Sequence, residues 1–109
     1  VMGHIGFPCR YIGDHPMPGD AARLLASTMA RNGILPEINT SGFRKGYPKT
    51  LPDKPFLRIW RELSRGRVTA GSDAHRIGEP GSDLERAEEV IQELGLETVV
   101  FRNRKAVRV

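Results

Sequence analysis

Apolar and polar positions along the chain switch back and forth between two periods. Residues 1–5 (VMGHI) form a short apolar run suited to a buried strand. "MPGDAARLLASTMARNG" then takes up helical spacing. Ala21, Leu24, Leu25, Thr28 and Met29 share a face, Asp20 is the expected N-cap, and Gly33 stands just past the end. "ILPEIN" reads as a second strand, and a loop rich in Gly, Lys and Pro follows. "KPFLRIWRELSRG" predicts a second helix with Phe56, Ile59, Trp60 and Leu63 on its apolar face and Gly66 as its stop. "RVTAGS" is a third strand. "SDLERAEEVIQELG" is a third helix, in which Ser82 and Glu85 form a capping-box pattern. Leu84, Ala87, Val90, Ile91 and Leu94 make its apolar stripe, and Gly95 ends it. "ETVVFRN" is a fourth strand, and the basic tail beyond it is expected to be solvated and partly frayed.

The resulting order is β-α-β-α-β-α-β. Strands separated by helices predict right-handed crossovers and a parallel sheet, so the fold class is α/β. Short strands of small residues fit a barrel or open sheet covered on both faces. Parallel α/β folds bind ligands beyond the carboxyl ends of their strands. His4 falls at the end of strand one, Glu37 and Asn39 at the end of strand two, and Asp73 and His75 at the end of strand three. Three successive strands thus deliver polar or metal-capable groups to one rim, which points to a site there.

Length and composition narrow the picture. The 109 residues suit one domain, and 39% hydrophobic with 28% charged residues is ordinary for a soluble protein. No apolar run approaches the roughly 18 residues that span a bilayer, and no secretory signal opens the chain. Val1-Met2-Gly3 reads as strand interior, so the chain is expected to begin within a longer protein. A single cysteine, Cys9, excludes an internal disulfide framework and favours a reducing, cytoplasmic setting. Any metal site must then draw on His, Asp and Glu. The formal charge of +4 admits an anionic partner. With only 6% aromatic residues and no interleaving of aromatic and basic positions, a single-strand nucleic-acid platform has thin support.

Candidate chemistry concentrates in "TAGSDAHRIGEPG". In an extended segment, Asp73 and His75 point to the same side, with small Ala74 between them. A carboxylate beside an imidazole suits Zn²⁺, Mn²⁺ or Fe²⁺. The competing reading is a turn in which Asp73 caps backbone and His75 sits in solvent. His4, between apolar neighbours, is either a ligand or a satisfied core histidine, and His15 lies in a solvated Pro/Gly loop. "EINTSGFRKG" leaves strand two with Asn39, Thr40 and Ser41, turns at Gly42, then presents Arg44 and Lys45. Amides, hydroxyls and a forked guanidinium suit phosphate recognition, and the alternative is a plain basic loop.

"GHI", "EINTSGFRKGYP" and "GSDAHRIGE", in this order and spacing, resemble the C-terminal part of the PHP (polymerase and histidinol phosphatase) family, in particular its histidinol-phosphatase branch. The resemblance covers nearly the whole chain. It implies that residues 1–109 are the C-terminal part of a single PHP domain, a distorted (β/α)7 TIM-like barrel with divalent metals at the strand ends. It implies His4, Asp73 and His75 as metal ligands and Asn39, Ser41, Arg44, Lys45 and Arg10 as contacts to a phosphate monoester. The implied reaction is metal-assisted hydrolysis of L-histidinol phosphate in histidine biosynthesis, with no catalytic group beyond metal-bound water. Two departures stand out: Gly6 replaces the acidic residue usual for that branch, and the family's opening His-x-His segment does not occur in the chain. The 109 residues alone are therefore expected to turn over little or no substrate. The alternatives are a PHP-type phosphodiesterase or nuclease and an inactive truncated remnant. The expected partner is a small phosphorylated molecule, with neither membrane nor nucleic acid.

Overall fold

A computed structural model of the chain describes residues 1–6 and 16–109, so Cys9, Arg10 and His15 lie outside the described residues. The elements, in order, are α1 (Gly19–Arg31), β1 (Glu37–Asn39), a 3₁₀ turn (Ser41–Lys45), α2 (Lys54–Leu63), β2 (Arg67–Gly71), α3 (Leu84–Leu94), β3 (Glu97–Arg102) and β4 (Lys105–Arg108). The sheet runs β1-β2-β3-β4 in space. Its first three strands pair parallel, as the alternation with helices predicts, while β4 returns antiparallel to β3. The architecture is therefore α/β around a mostly parallel sheet, and among the described residues the sheet is open rather than closed into a barrel.

One apolar cluster holds the helices to the sheet. Ala22, Ala26 and Met29 of α1, Phe56, Leu57 and Trp60 of α2, and Ala87, Val90 and Ile91 of α3 meet Ile38 of β1 and Val68 of β2. Strand residues alternate in direction, so Glu37, Arg67 and Thr69 belong to the opposite face, where all three are half-buried. Trp60 is buried because its indole N–H donates to the carbonyl of Arg67 at 3.0 Å. Asp53 caps α2, its carboxylate accepting from the Phe56 amide at 3.2 Å.

Several expectations are corrected. The first strand shrinks to a single parallel bridge between Met2 and Pro36. Beyond it the chain turns, and the place beside Asn39 is taken by Leu51, paired through two backbone hydrogen bonds of 2.8 and 3.0 Å. α1 starts after Pro18, with Asp20 in its first turn rather than capping it. Its buried face is rotated from the expected one: Ala22 and Ala26 go inside, and Leu24 is 67% exposed. The small alanines allow α1 to approach α2 closely. The Ser82–Glu85 capping box does not form. Asp83, at φ 58°, occupies the cap position, and the Ser82 carbonyl is engaged by the Thr40 hydroxyl at 2.7 Å. The supposedly frayed tail is β4, reached through Asn103 and Arg104, which both have positive φ as a tight hairpin turn demands.

Candidate functional site

The chain leaves β1 at Asn39 into the 3₁₀ turn and leaves β2 at Gly71 into the loop that carries Asp73 and His75. Because β1 and β2 are parallel, with Asn39 level with Gly71, the two exits lie side by side at the carboxyl end of the sheet. Oδ1 of Asp73 and Nε2 of His75 are 3.7 Å apart. Asp73 is largely buried and His75 is mostly exposed. Their approach has a different origin from the expected one. The segment is not extended at Asp73, whose φ of 51° lies in the left-handed region that few non-glycine residues adopt.

Neighbouring groups hold this turn. Nη2 of Arg44, from the 3₁₀ turn, donates to the carbonyls of Ser72 at 2.6 Å and Asp73 at 3.3 Å. Oε2 of Glu79 accepts from the His75 backbone N–H at 3.0 Å, and its Oε1 faces Arg44 Nε at 3.8 Å. That backbone hydrogen bond, reinforced by the Arg44 charge, holds the Glu79 carboxyl below its ordinary value of 4.5 against the opposing effect of burial. Ser72 Oγ accepts from the Gly81 amide at 3.1 Å and closes the loop. Thr40 Oγ1 joins the two exits by donating to Ser82.

The other predicted residues fall as follows. Asn39 and Ser41 are buried, and their polar groups satisfy one another: Asn39 Oδ1 accepts from the Ser41 amide at 2.9 Å and from its hydroxyl at 2.6 Å. Asn39 Nδ2 donates to Glu37 Oε1 at 3.3 Å. Both side chains are thus engaged by neighbouring groups, and Arg44 is bonded to the neighbouring loop. Lys45 is exposed at the end of the 3₁₀ turn, and Arg10 lies outside the described residues. His4 is exposed with φ 63° just past the Met2 bridge. Among the described residues no group of three His, Cys, Asp or Glu side chains is placed to hold a metal ion.

Sequence reasoning placed Glu37 on the rim and Thr40 among the hydroxyls of the following loop, but assigned no role to Ser72 or Glu79. The carboxylate of Glu37 lies over the two glycines that end the flanking strands, 3.4 Å from where a Cβ of Gly3 would stand and 2.7 Å from one on Gly71. Glu79 was open to detection, since an acidic side chain four residues after His75 within a Gly/Pro turn can reach back to the backbone. A cleft of about 640 Å³ beside α2 does not touch these residues. It is lined by Phe43, Lys49, Lys54, Arg58 and Arg86, and two of its cations are already engaged, Lys54 with Glu93 at 2.6 Å and Arg86 with Asp83 at 3.5 Å.

No family model matches the chain. Two curated proteins do. One from Deinococcus radiodurans, named probable histidinol-phosphatase, is 34% identical over 105 residues, which is 96% of this chain and 40% of the relative. Another of the same name from Thermotoga maritima is 28% identical over 111 residues, covering all of this chain and 47% of the relative. The chain therefore spans less than half the length of the curated relatives it matches.

Proposed function

We propose that this chain is the C-terminal part of a PHP-family barrel whose whole protein hydrolyses a phosphate monoester, L-histidinol phosphate, with divalent metal ions. The observation that carries the reading is the match of nearly the entire chain to two proteins named probable histidinol-phosphatase. The rim geometry supports it. Metal bonds of about 2.0–2.2 Å in a tetrahedral shell place neighbouring donor atoms about 3.4 Å apart. The 3.7 Å between Asp73 Oδ1 and His75 Nε2 is therefore compatible with two ligands of one ion. Asp73 and His75 would hold it, and His4 and residues from the rest of a longer chain would complete the set. Zn²⁺, Mn²⁺ or Fe²⁺ bound there would polarise the phosphoryl oxygens and acidify water. Lys45, exposed at the rim, and Arg10 are the remaining candidates for meeting the phosphate.

The test is phosphate release from L-histidinol phosphate by the longest polypeptide the gene encodes, with each of the three metals, in the parent, Asp73→Ala and His75→Ala. Release by the parent and at least a 100-fold loss in both variants, the scale set by losing a metal ligand, supports the proposal. Cleavage of a dinucleotide diester in preference to the monoester would instead make the protein a PHP-type phosphodiesterase. No release from either substrate overturns the enzymatic reading.

A further inference from the structure

We infer that Arg44 and Glu79 are positioning residues whose joint task is to fix the backbone from which Asp73 and His75 project. The inference rests on the metal-site reading above for its purpose, and on the structure alone for its geometry.

A side chain is aimed by the two peptide planes that flank its Cα. For Asp73 these planes carry the carbonyls of Ser72 and Asp73. A single nitrogen, Arg44 Nη2, donates to both, at 2.6 and 3.3 Å. One charged donor therefore restrains both φ and ψ of Asp73. The restraint has work to do, because φ of 51° is disfavoured for a residue bearing a Cβ and persists only where surrounding contacts impose it. The peptide plane preceding His75 is held separately, its N–H donating to Glu79 Oε2 at 3.0 Å. Glu79 and Arg44 face each other at 3.8 Å, so the two restraints form one unit.

Arg44 is well placed for such a task. Its side chain is only 18% exposed, and Nε and Nη1 are buried without a hydrogen-bond partner among the described residues. A guanidinium so enclosed cannot swing out to meet a ligand without giving up the Ser72 and Asp73 carbonyls. It comes from the exit of β1 and acts on the exit of β2, so the arrangement exists only when the parallel pairing of the two strands is in place. The contacts that Arg44 and Glu79 make here with Asp73 and His75 are to backbone atoms, which separates positioning from ligation.

The test uses the isotope-labelled chain with Arg44→Gln, Arg44→Lys and Glu79→Gln, and Asp73→Ala as the control for ligation. Two readouts are taken. The first needs no metal: backbone couplings and chemical shifts report φ of Asp73, and amide hydrogen exchange reports the His75 N–H. The second is affinity of the longest polypeptide the gene encodes for Co²⁺, followed by its visible absorption. Arg44→Gln is expected to move Asp73 out of the left-handed region. Glu79→Gln, which keeps an acceptor oxygen but loses the charge, is expected to speed exchange of the His75 amide about 5-fold, roughly the difference between a charged and a neutral acceptor. Each should weaken Co²⁺ binding about 10-fold or more, the usual effect of removing an outer-shell partner. Arg44→Lys, which keeps one cationic donor, should recover part of both readouts. An Asp73 φ and a His75 exchange rate unchanged in both Gln variants would overturn the inference. If Arg44→Gln does not fold, Glu79→Gln in its surface loop decides by the same criteria. Co²⁺ bound no better by the parent than by Asp73→Ala would sink the metal reading instead, while the metal-free readout still decides the positioning role.

Discussion

At Gly71 an added Cβ would stand 2.7 Å from Oε2 and 3.0 Å from Cδ of Glu37, too close for either to stay. The obstacle is the far end of a flexible side chain, so the carboxylate would give way and the backbone would not. Gly71→Ala should then cost about 1 kcal/mol, the usual net worth of the hydrogen bond from Asn39 that Glu37 would lose. In urea denaturation the penalty should vanish when Glu37→Ala is introduced alongside, because the collision partner is gone. An equal penalty in both backgrounds would mean that the backbone itself resists the methyl. At this scale the sequence showed that Asp73 and His75 approach each other but not what holds them there. Asp73 and His75 are recognisable from their spacing, although their approach comes from a turn and not from an extended segment. The inward turn of Arg44 was illegible, because it depends on a partner 28 residues away that only the strand pairing brings within reach.

The helices and parallel strands were legible because each is announced by its own apolar period and glycine stop, as at Gly33, Gly66 and Gly95, all with positive φ. What failed were features set by competition between neighbours. The cap position fell to Asp83 while the Ser82 N–H went to the Glu79 carbonyl, the first strand yielded its place beside Asn39 to Leu51, and the hairpin turn at Asn103-Arg104 lacks the glycine that would have signalled it. Between elements, Lys54 at the start of α2 meets Glu93 near the end of α3 at 2.6 Å. This hydrogen bond, with the Lys54 charge and against partial burial, draws the Glu93 carboxyl below its ordinary 4.5. A folded-state value below the unfolded one means that the link stabilises the fold above pH 4.5 and is lost as pH falls through the lowered value. Thermal melts of the parent and Glu93→Gln should therefore differ at pH 7 and converge as the pH falls below the lowered value, where both side chains are neutral. The pair is half-exposed, so the difference at pH 7 should also shrink in high salt. A difference that persisted unchanged across the acid range would refer the effect to packing instead of charge.

At the scale of the whole molecule, the sheet ends differently on its two sides. On the β1 side Leu51 occupies the edge at Asn39, and on the other side β4 covers β3, where Val99 is 1% exposed and paired with Arg108. β4 itself carries exposed Lys105 and Arg108, charges that discourage a further strand from adding there. Deleting residues 104–109 should bare β3 and raise the average mass seen by light scattering above that of the parent at equal concentration. An unchanged mass would mean that β3 needs no cover. The alternation of elements made the α/β class readable, but the pattern could not show where pairing stops, because edges are decided by which segments reach them first. The hydroxyl of Thr40 on Ser82 and the guanidinium of Arg44 on Ser72 and Asp73 have a last consequence, for recombination. The two strand-exit loops are mortised together, so neither is a transplantable cassette. A chimera that swaps residues 72–83 for those of a relative inherits a foreign joint unless residues 40–45 travel with them.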